Sequence, residues 1–198
     1  MLCFLVSLPM LISVGLAVYF TSGSPILFRG ARLGRDGQVF SMYKFRTMHA
    51  GSETAGPGVT GEGDHRVTRF GHLLRRWKLD ELPQLLNVLR GEMSIVGPRP
   101  EDPRYLPFYP SNQLEVLSVR PGMTGQTQLT FLNEEHLLTS NDVEEEYLKY
   151  QLPKKLAMDL VYVRQANTAL DIRLVISTFR QLLAQLPIVA KMGRDQPL

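Results

Sequence analysis

Residues 1–20 carry no charged side chain, and as a helix they would extend about 30 Å, the thickness of a bilayer core. The segment belongs in lipid. Three readings compete: a spanning helix, a secretory signal peptide, and a re-entrant hairpin that enters and leaves by the same face. No Lys or Arg precedes the apolar run, which counts against a signal peptide. Ser7 and Pro9 mark the segment's one breaker, because proline removes a helical hydrogen bond and the freed backbone needs a local partner such as a serine hydroxyl. Taken on the residues alone, the simplest reading is a kinked spanning helix. Arg29, Arg32, Arg35, Lys44 and Arg46 follow closely, and by the positive-inside rule they put this side in the cytoplasm.

The 198 residues suffice for one compact domain with a real core. A formal net charge of +3 without a dense Lys/Arg run argues weakly for an anionic partner and does not suggest nucleic acid. The single cysteine, Cys3, has no partner for a disulfide, in keeping with a reducing compartment. His49, His65, His72 and His136 show no metal-ligand spacing, and none is assigned.

Two adjacent carboxylates, Asp80 and Glu81, stand before the apolar repeat Leu82, Leu85, Leu86, Leu89. The pattern predicts a helix with Asp80 as its N-cap, and Pro83 fits a first turn, where its missing N–H costs nothing. A helix N-terminus suits a carboxylate that shares space with a phosphate or a metal. By itself the pair reads equally as a capped surface helix. Arg75, Arg76 and Lys78 precede it, and Arg99 follows, held between Pro98 and Pro100. Arginine offers a planar fork of donors suited to phosphate oxygens.

The runs Asp64–Gly71, Leu79–Leu85, Asn87–Ser94, Val96–Pro100 and Arg120–Gly125 resemble the bacterial sugar transferase family, the monotopic polyprenyl-phosphate phosphoglycosyl transferases that start glycoconjugate assembly. The resemblance implies transfer of a sugar 1-phosphate from a UDP-sugar to polyprenyl (undecaprenyl) phosphate, with release of UMP and a covalent phospho-aspartate on Asp80. Glu81 would assist, Mg²⁺ would be held through Asp80 and the diphosphate, and Arg75 and Arg99 would hold phosphate oxygens. The same resemblance turns Ser7 and Pro9 into the break of a re-entrant helix at the cytoplasmic face of the bacterial inner membrane, and tips Lys44 and Arg46, from Lys-Phe-Arg-Thr-Met, toward the pyrophosphate rather than toward snorkelling at the membrane surface. Expected partners are the UDP-sugar, polyprenyl phosphate and membrane lipid, with room for a homodimer. Two further readings stay open: the catalytic end of a longer polytopic homologue, and a non-catalytic membrane-anchored module.

Elsewhere, Pro25–Phe28 and Gln38–Tyr43 flank Gly34-Arg35-Asp36-Gly37 and predict a β-hairpin. Residues 50–65 form a Gly- and Thr-rich loop whose G-x-G-x-x-G match (Gly56, Gly58, Gly61) lacks the leading strand of a dinucleotide site and reads as a cover over the active site. A short helix is expected near Asn112–Val119, then a turn where Arg120 and Thr124 meet a phosphate or simply shape the chain. Leu132 stands where family members commonly carry arginine, which removes that contact. The run 142–146 reads as a solvated helix face, and helices are expected at 147–162 and 171–186, the last with an apolar stripe of Ile172, Val175, Ile176, Phe179, Leu182 and Leu183 that suits core packing or a membrane surface equally. Asp159 and Asp171 match acidic positions of the family, with Asp171 the candidate supporting carboxylate. The expected fold is α+β and mainly helical: a re-entrant membrane helix over residues 1–24, then a catalytic domain over 25–198 with a small β-hairpin and amphipathic membrane-surface helices.

Overall fold

A computed structural model describes residues 2–52, 58–61, 63–132 and 142–184, with side chains described from residue 8. The expected hairpin forms, with a first strand that starts later and runs further toward the turn than the expected 25–28. Strands β1 (Leu27–Leu33) and β2 (Val39–Phe45) pair antiparallel, Leu27 opposite Phe45 and Leu33 opposite Val39. A single 3₁₀ turn, Arg35–Gly37, joins them, with Asp36 and Gly37 both left-handed at φ 56° and 75°. Aspartate and glycine are residues that tolerate that region.

Helix α1 (Leu2–Ser22) contains Pro9 and is assigned as helix on both sides of it. The Ser13 hydroxyl donates to the Pro9 carbonyl at 2.9 Å, one turn beyond the proline; the carbonyl that Pro9 itself leaves without a helical donor is the one four residues earlier. The side chain of Ser7 lies outside the described residues. Among the described residues no helix is long and apolar enough to cross a membrane. The second half of α1 is packed on the body: Val14 and Val18 form a core cluster with Phe45 and Leu74, flanked by Ile26, Phe70 and Leu82. Each fully buried apolar side chain of this size contributes about 1.5–3 kcal/mol, so the helix is tied to β2, to Leu74 and to the segment around Leu79 and Leu82.

Helix α2 (Arg69–Arg76) starts at Thr68, whose side chain caps the Gly71 amide at 2.9 Å. A Cβ on Gly71 would strike the Thr47 backbone, so glycine lets α2 lie directly against the end of β2. The helix expected to open at Asp80 is instead a 3₁₀ helix, Leu79–Gln84, followed by a short α3 (Leu85–Leu89). Its N-cap is Lys78, left-handed at φ 54° and ψ 21°, and not Asp80. The tighter winding turns both carboxylates inward, and Pro83, the fifth residue of the element and so past the first turn where it was expected, removes one donor from the 3₁₀ ladder. Asn87, fully buried on α3, then latches this element to the hairpin: its amide donates to the Ser41 carbonyl at 2.8 Å and its oxygen accepts from the Tyr43 amide at 3.1 Å.

Strands β3 (Ser94–Val96) and β4 (Gly122–Thr124) pair in parallel. A Cβ on Gly97 would meet the Arg120 carbonyl at 2.7 Å and the Gly122 amide at 2.8 Å. That close approach fixes Pro98-Arg99-Pro100 beside the strands, with the Gly122 amide donating to the Pro98 carbonyl at 2.8 Å. The helix expected near 112–119 is 3₁₀, Ser111–Ser118. Helix α4 (Gln126–Thr130) follows β4, and α5 (Val143–Glu146) is a single turn capped by the Asp142 side chain. It runs through a π-helical turn, Tyr147–Gln151, into α6 (Leu152–Gln165), and the chain continues as α7 (Thr168–Ala184). A second core joins Leu33, Tyr105, Tyr109, Val116, Tyr147, Leu152 and Leu156.

The mainly helical α+β class is as expected. The α7 stripe is not core: Ile172, Ile176, Phe179 and Leu183 are 49–62% exposed, and the buried residue of the helix is Leu174.

Candidate active site

A cavity of about 490 Å³ lies between the hairpin, the Leu79–Gln84 element, the Arg99–Asp102 stretch and α6. Lys44, Arg75, Lys78, Asp80, Glu81 and Arg99 all line it. Lys44, Arg46, Arg75, Asp80, Glu81 and Arg99, expected to share one site, line one cavity, and Lys78, which precedes the pair and had no expected role, lines it as well. Lys78 sits in the wall because its left-handed backbone starts the Leu79–Gln84 element, a conformation that a non-glycine residue holds at some cost in strain.

The two carboxylates have different surroundings. Glu81 takes the Lys44 ammonium at 3.0 Å and has the Arg99 guanidinium at 4.0 Å. Burial acts to raise its carboxyl, but Lys44, Lys78 and Arg99 outweigh that and hold it well below the usual carboxylate range. Asp80 is 5% exposed and its Oδ1 is buried without a hydrogen-bond partner. Burial raises its carboxyl above the ordinary value, Lys44 pulls it back, and the neighbouring Glu81 charge pushes it up again, for a net rise. Lys44 is itself lowered by burial despite both carboxylates. The pair therefore divides into one cation-bound carboxylate whose charged form is favoured and one buried carboxyl with an unsatisfied oxygen, whose charged form is disfavoured.

Arg75 spans the cavity wall, donating through Nε to the Thr47 hydroxyl and through Nη1 to the Thr60 hydroxyl, each at 3.0 Å. Gly58, Val59 and Thr60 line the cavity, so the part of the 50–65 loop that is described does border the site; residues 53–57 and 62 lie outside the described residues. Leu132 lines it too. Arg46 is 2% exposed and closes the C-terminal end of α1, donating to the Ser22 carbonyl and, at 2.8 Å, to the Gly23 carbonyl. Pro100 is in the wall, whereas Pro98, Arg120, Thr124 and Asp171 are not among its lining residues. Arg120 is exposed. The Thr124 hydroxyl bonds that of Thr178 on α7 at 2.6 Å. Asp171 accepts from the Tyr162 hydroxyl at 2.9 Å, tying α7 to α6.

Of the two acidic residues singled out on the last helices, Asp159 is the one that reaches the site's frame. It accepts from the Arg99 backbone amide at 3.3 Å and from the Thr127 hydroxyl. Burial pushes it up to about 7, against those two donors. Sequence reasoning also missed Glu101 and Lys155, which both line the cavity. Lys155, 2% exposed, lies 3.5 Å from Glu101 and donates to the Tyr147 hydroxyl at 3.1 Å. The available signal was the spacing of Lys155 and Asp159, one turn apart on a helix.

Among the described residues no group of three or more His, Cys, Asp or Glu is placed to hold a metal. The carboxylates present nevertheless fit the way Mg²⁺ is held in phosphate chemistry, through one or two carboxylates plus substrate oxygens, and Asp80 has the free oxygen for it.

Two buried carboxylates under a ring of cations, in a cleft with threonine hydroxyls at its rim, make a site whose charge suits an anionic group. The chain belongs to the bacterial sugar transferase family, whose profile matches residues 1–185. It is 37% identical over 161 residues to the uncharacterized sugar transferase EpsL of Bacillus subtilis (strain 168), covering 81% of this chain and 71% of that one. It is 37% identical over 178 residues to the UDP-glucose:undecaprenyl-phosphate glucose-1-phosphate transferase of Caulobacter vibrioides, covering 88% and 63%. It is 33% identical to the UDP-N-acetylgalactosamine-undecaprenyl-phosphate N-acetylgalactosaminephosphotransferase of Aeromonas hydrophila, covering 88% of this chain and 39% of that one. The chain thus spans less than two thirds of the length of the latter two.

Proposed function

We propose that this chain transfers a sugar 1-phosphate from a UDP-sugar to polyprenyl phosphate at the cytoplasmic face of the bacterial inner membrane. The observation that carries the reading is the division of labour between Asp80 and Glu81: Lys44 and Arg99 occupy Glu81, leaving a buried Asp80 oxygen without a partner. The names of the Caulobacter and Aeromonas relatives support the substrate class and differ in the sugar.

In this reading Asp80 attacks the phosphorus next to the sugar. A bond from its carboxylate oxygen to phosphorus forms, the bond from that phosphorus to the bridging oxygen breaks, and UMP leaves with the electron pair. A phosphate oxygen of the lipid then attacks the same phosphorus and displaces the Asp80 carboxylate, giving the sugar diphospholipid. Arg75, Lys44 and Arg99 hold phosphate oxygens, and Glu81 keeps Lys44 and Arg99 in place while it positions the nucleophile. Asp80 would hold Mg²⁺, which when bound supplies charge compensation for an anion attacking an anionic phosphate. Arg120, Thr124 and Asp171 have structural partners or lie outside the cavity, and they receive no substrate role.

The reading is tested by UMP release from a panel of UDP-sugars with polyprenyl phosphate in liposomes. Excess EDTA is expected to stop that release and added Mg²⁺ to restore it; full turnover in EDTA would remove the metal from the scheme.

The N-terminal segment is proposed to be re-entrant about Pro9. An acceptor phosphate at headgroup level requires the site at a fixed depth against one leaflet, and a segment that returns to its own face cannot slide through. The exposed α7 stripe would rest on the same surface. In a Cys3→Ser background, Leu2→Cys and Ser24→Cys should both be labelled by a membrane-impermeant thiol reagent from the cytoplasmic side. Labelling of position 2 from the periplasm would leave an ordinary spanning helix.

A further inference from the structure

A second, apolar groove of about 890 Å³ runs under α1, walled by Leu8, Leu11 and Ile12 on the helix and by Ile26, Pro83 and Leu86 opposite. Its size falls in the range of sites for drug-sized ligands. Phe28, Arg29, Phe45 and Arg46 line both this groove and the catalytic cavity, so the two meet at a neck with two aromatic rings and two guanidinium groups. Pro83 and Leu86 continue the element that carries Asp80.

Arg46 gives the neck a chemical preference. It is 2% exposed, and although Nη2 serves the end of α1, Nε and Nη1 are buried without hydrogen-bond partners. Two unsatisfied donors on a buried cation are costly, and a phosphate oxygen is the acceptor that a guanidinium fork fits best. A ligand matching the whole feature has an anionic phosphate at the neck and a long apolar tail beneath α1. The exposed Leu8 and Ile12 extend the tail's path along α1 toward lipid.

Resting on the transfer reaction above, we propose that this groove is the acceptor site: the phosphate-proximal isoprene units of polyprenyl phosphate lie between α1 and Ile26, Pro83 and Leu86, and Arg46, with Arg29, receives the lipid phosphate. Donor and acceptor then reach Asp80 from different sides. The nucleotide sugar comes through the cavity of Arg75 and Arg99, and the lipid through the neck at Arg46.

The test uses the full chain in phosphatidylethanolamine/phosphatidylglycerol liposomes with a polyprenyl phosphate carrying a diazirine in its second isoprene unit. Photolysis is expected to label Ile26–Phe28 or Pro83–Leu86, and excess unlabelled undecaprenyl phosphate, but not extra phosphatidylglycerol, should suppress it. Labelling confined to the exposed face of α7, or suppressed equally by phosphatidylglycerol, overturns the assignment. Ile26→Trp, which fills the groove, and Arg46→Lys should each raise KM for the acceptor about tenfold more than KM for the UDP-sugar; an equal rise in both counts against it. If either variant fails to fold, the wild-type labelling still decides. Stoichiometric UMP release in the absence of lipid reports on the transfer reaction separately. Release with label elsewhere removes the groove alone, while label in the groove without release keeps a lipid-phosphate site and removes the transfer chemistry.

Discussion

Asp80→Asn is expected to lower UMP release by about 10³-fold or more while leaving the protein at least as thermally stable as the wild type. Asparagine has nearly the same volume but no nucleophilic carboxylate, so the covalent step is lost. Stability should hold because the carboxylate is buried, with one oxygen that nothing satisfies, and an uncharged amide costs less to keep from water than a charge does. Since the N-cap position of the Leu79–Gln84 element is Lys78 and not Asp80, no cap is lost either. The paired measurements are UMP release and a thermal melt, with a third on trapping: a donor labelled in its sugar phosphate should leave a hydroxylamine-sensitive label on the wild type and none on the variant. Near-normal release from Asp80→Asn would sink the phospho-aspartate route and reopen the non-catalytic reading.

Lys44→Met should cost about 10²-fold in kcat/KM at neutral pH and move the acid limb of its pH profile upward by about 1 unit or more. Burial tends to raise both carboxyls, and Lys44 is the largest influence that opposes it at each. Removing this cation leaves Glu81 with Lys78 and, at 4.0 Å, Arg99 and raises both carboxyls. The deprotonated form that attacks is then reached only at higher pH, so part of the lost activity should return on the alkaline side. A uniform loss at every pH would mean that Lys44 binds substrate and does not set the charge of the pair.

The hairpin was legible in the sequence because its information is local, a glycine-bearing turn between two apolar stretches, but its extent was not: β1 runs Leu27–Leu33 where a strand was expected over 25–28. The pairing of Asp80 and Glu81 with Arg75 and Arg99 was legible through short motifs in order. Their meeting in one cavity follows from the Asn87 latch and the Gly97–Gly122 contact. What local pattern could not give was decided by packing. An apolar repeat after an acidic pair reads as an α-helix with an N-cap. The actual 3₁₀ turn depends on Lys78 taking a left-handed backbone, which nothing in its neighbours' propensities announces. The roles of Asp159 and Asp171 depended on how α6 and α7 fold back, which places one carboxylate on the Arg99 amide and the other on Tyr162. The exposure of the α7 stripe and the neck at Arg46 are likewise tertiary facts, because a period shows that a face is apolar and only the neighbours determine what covers it.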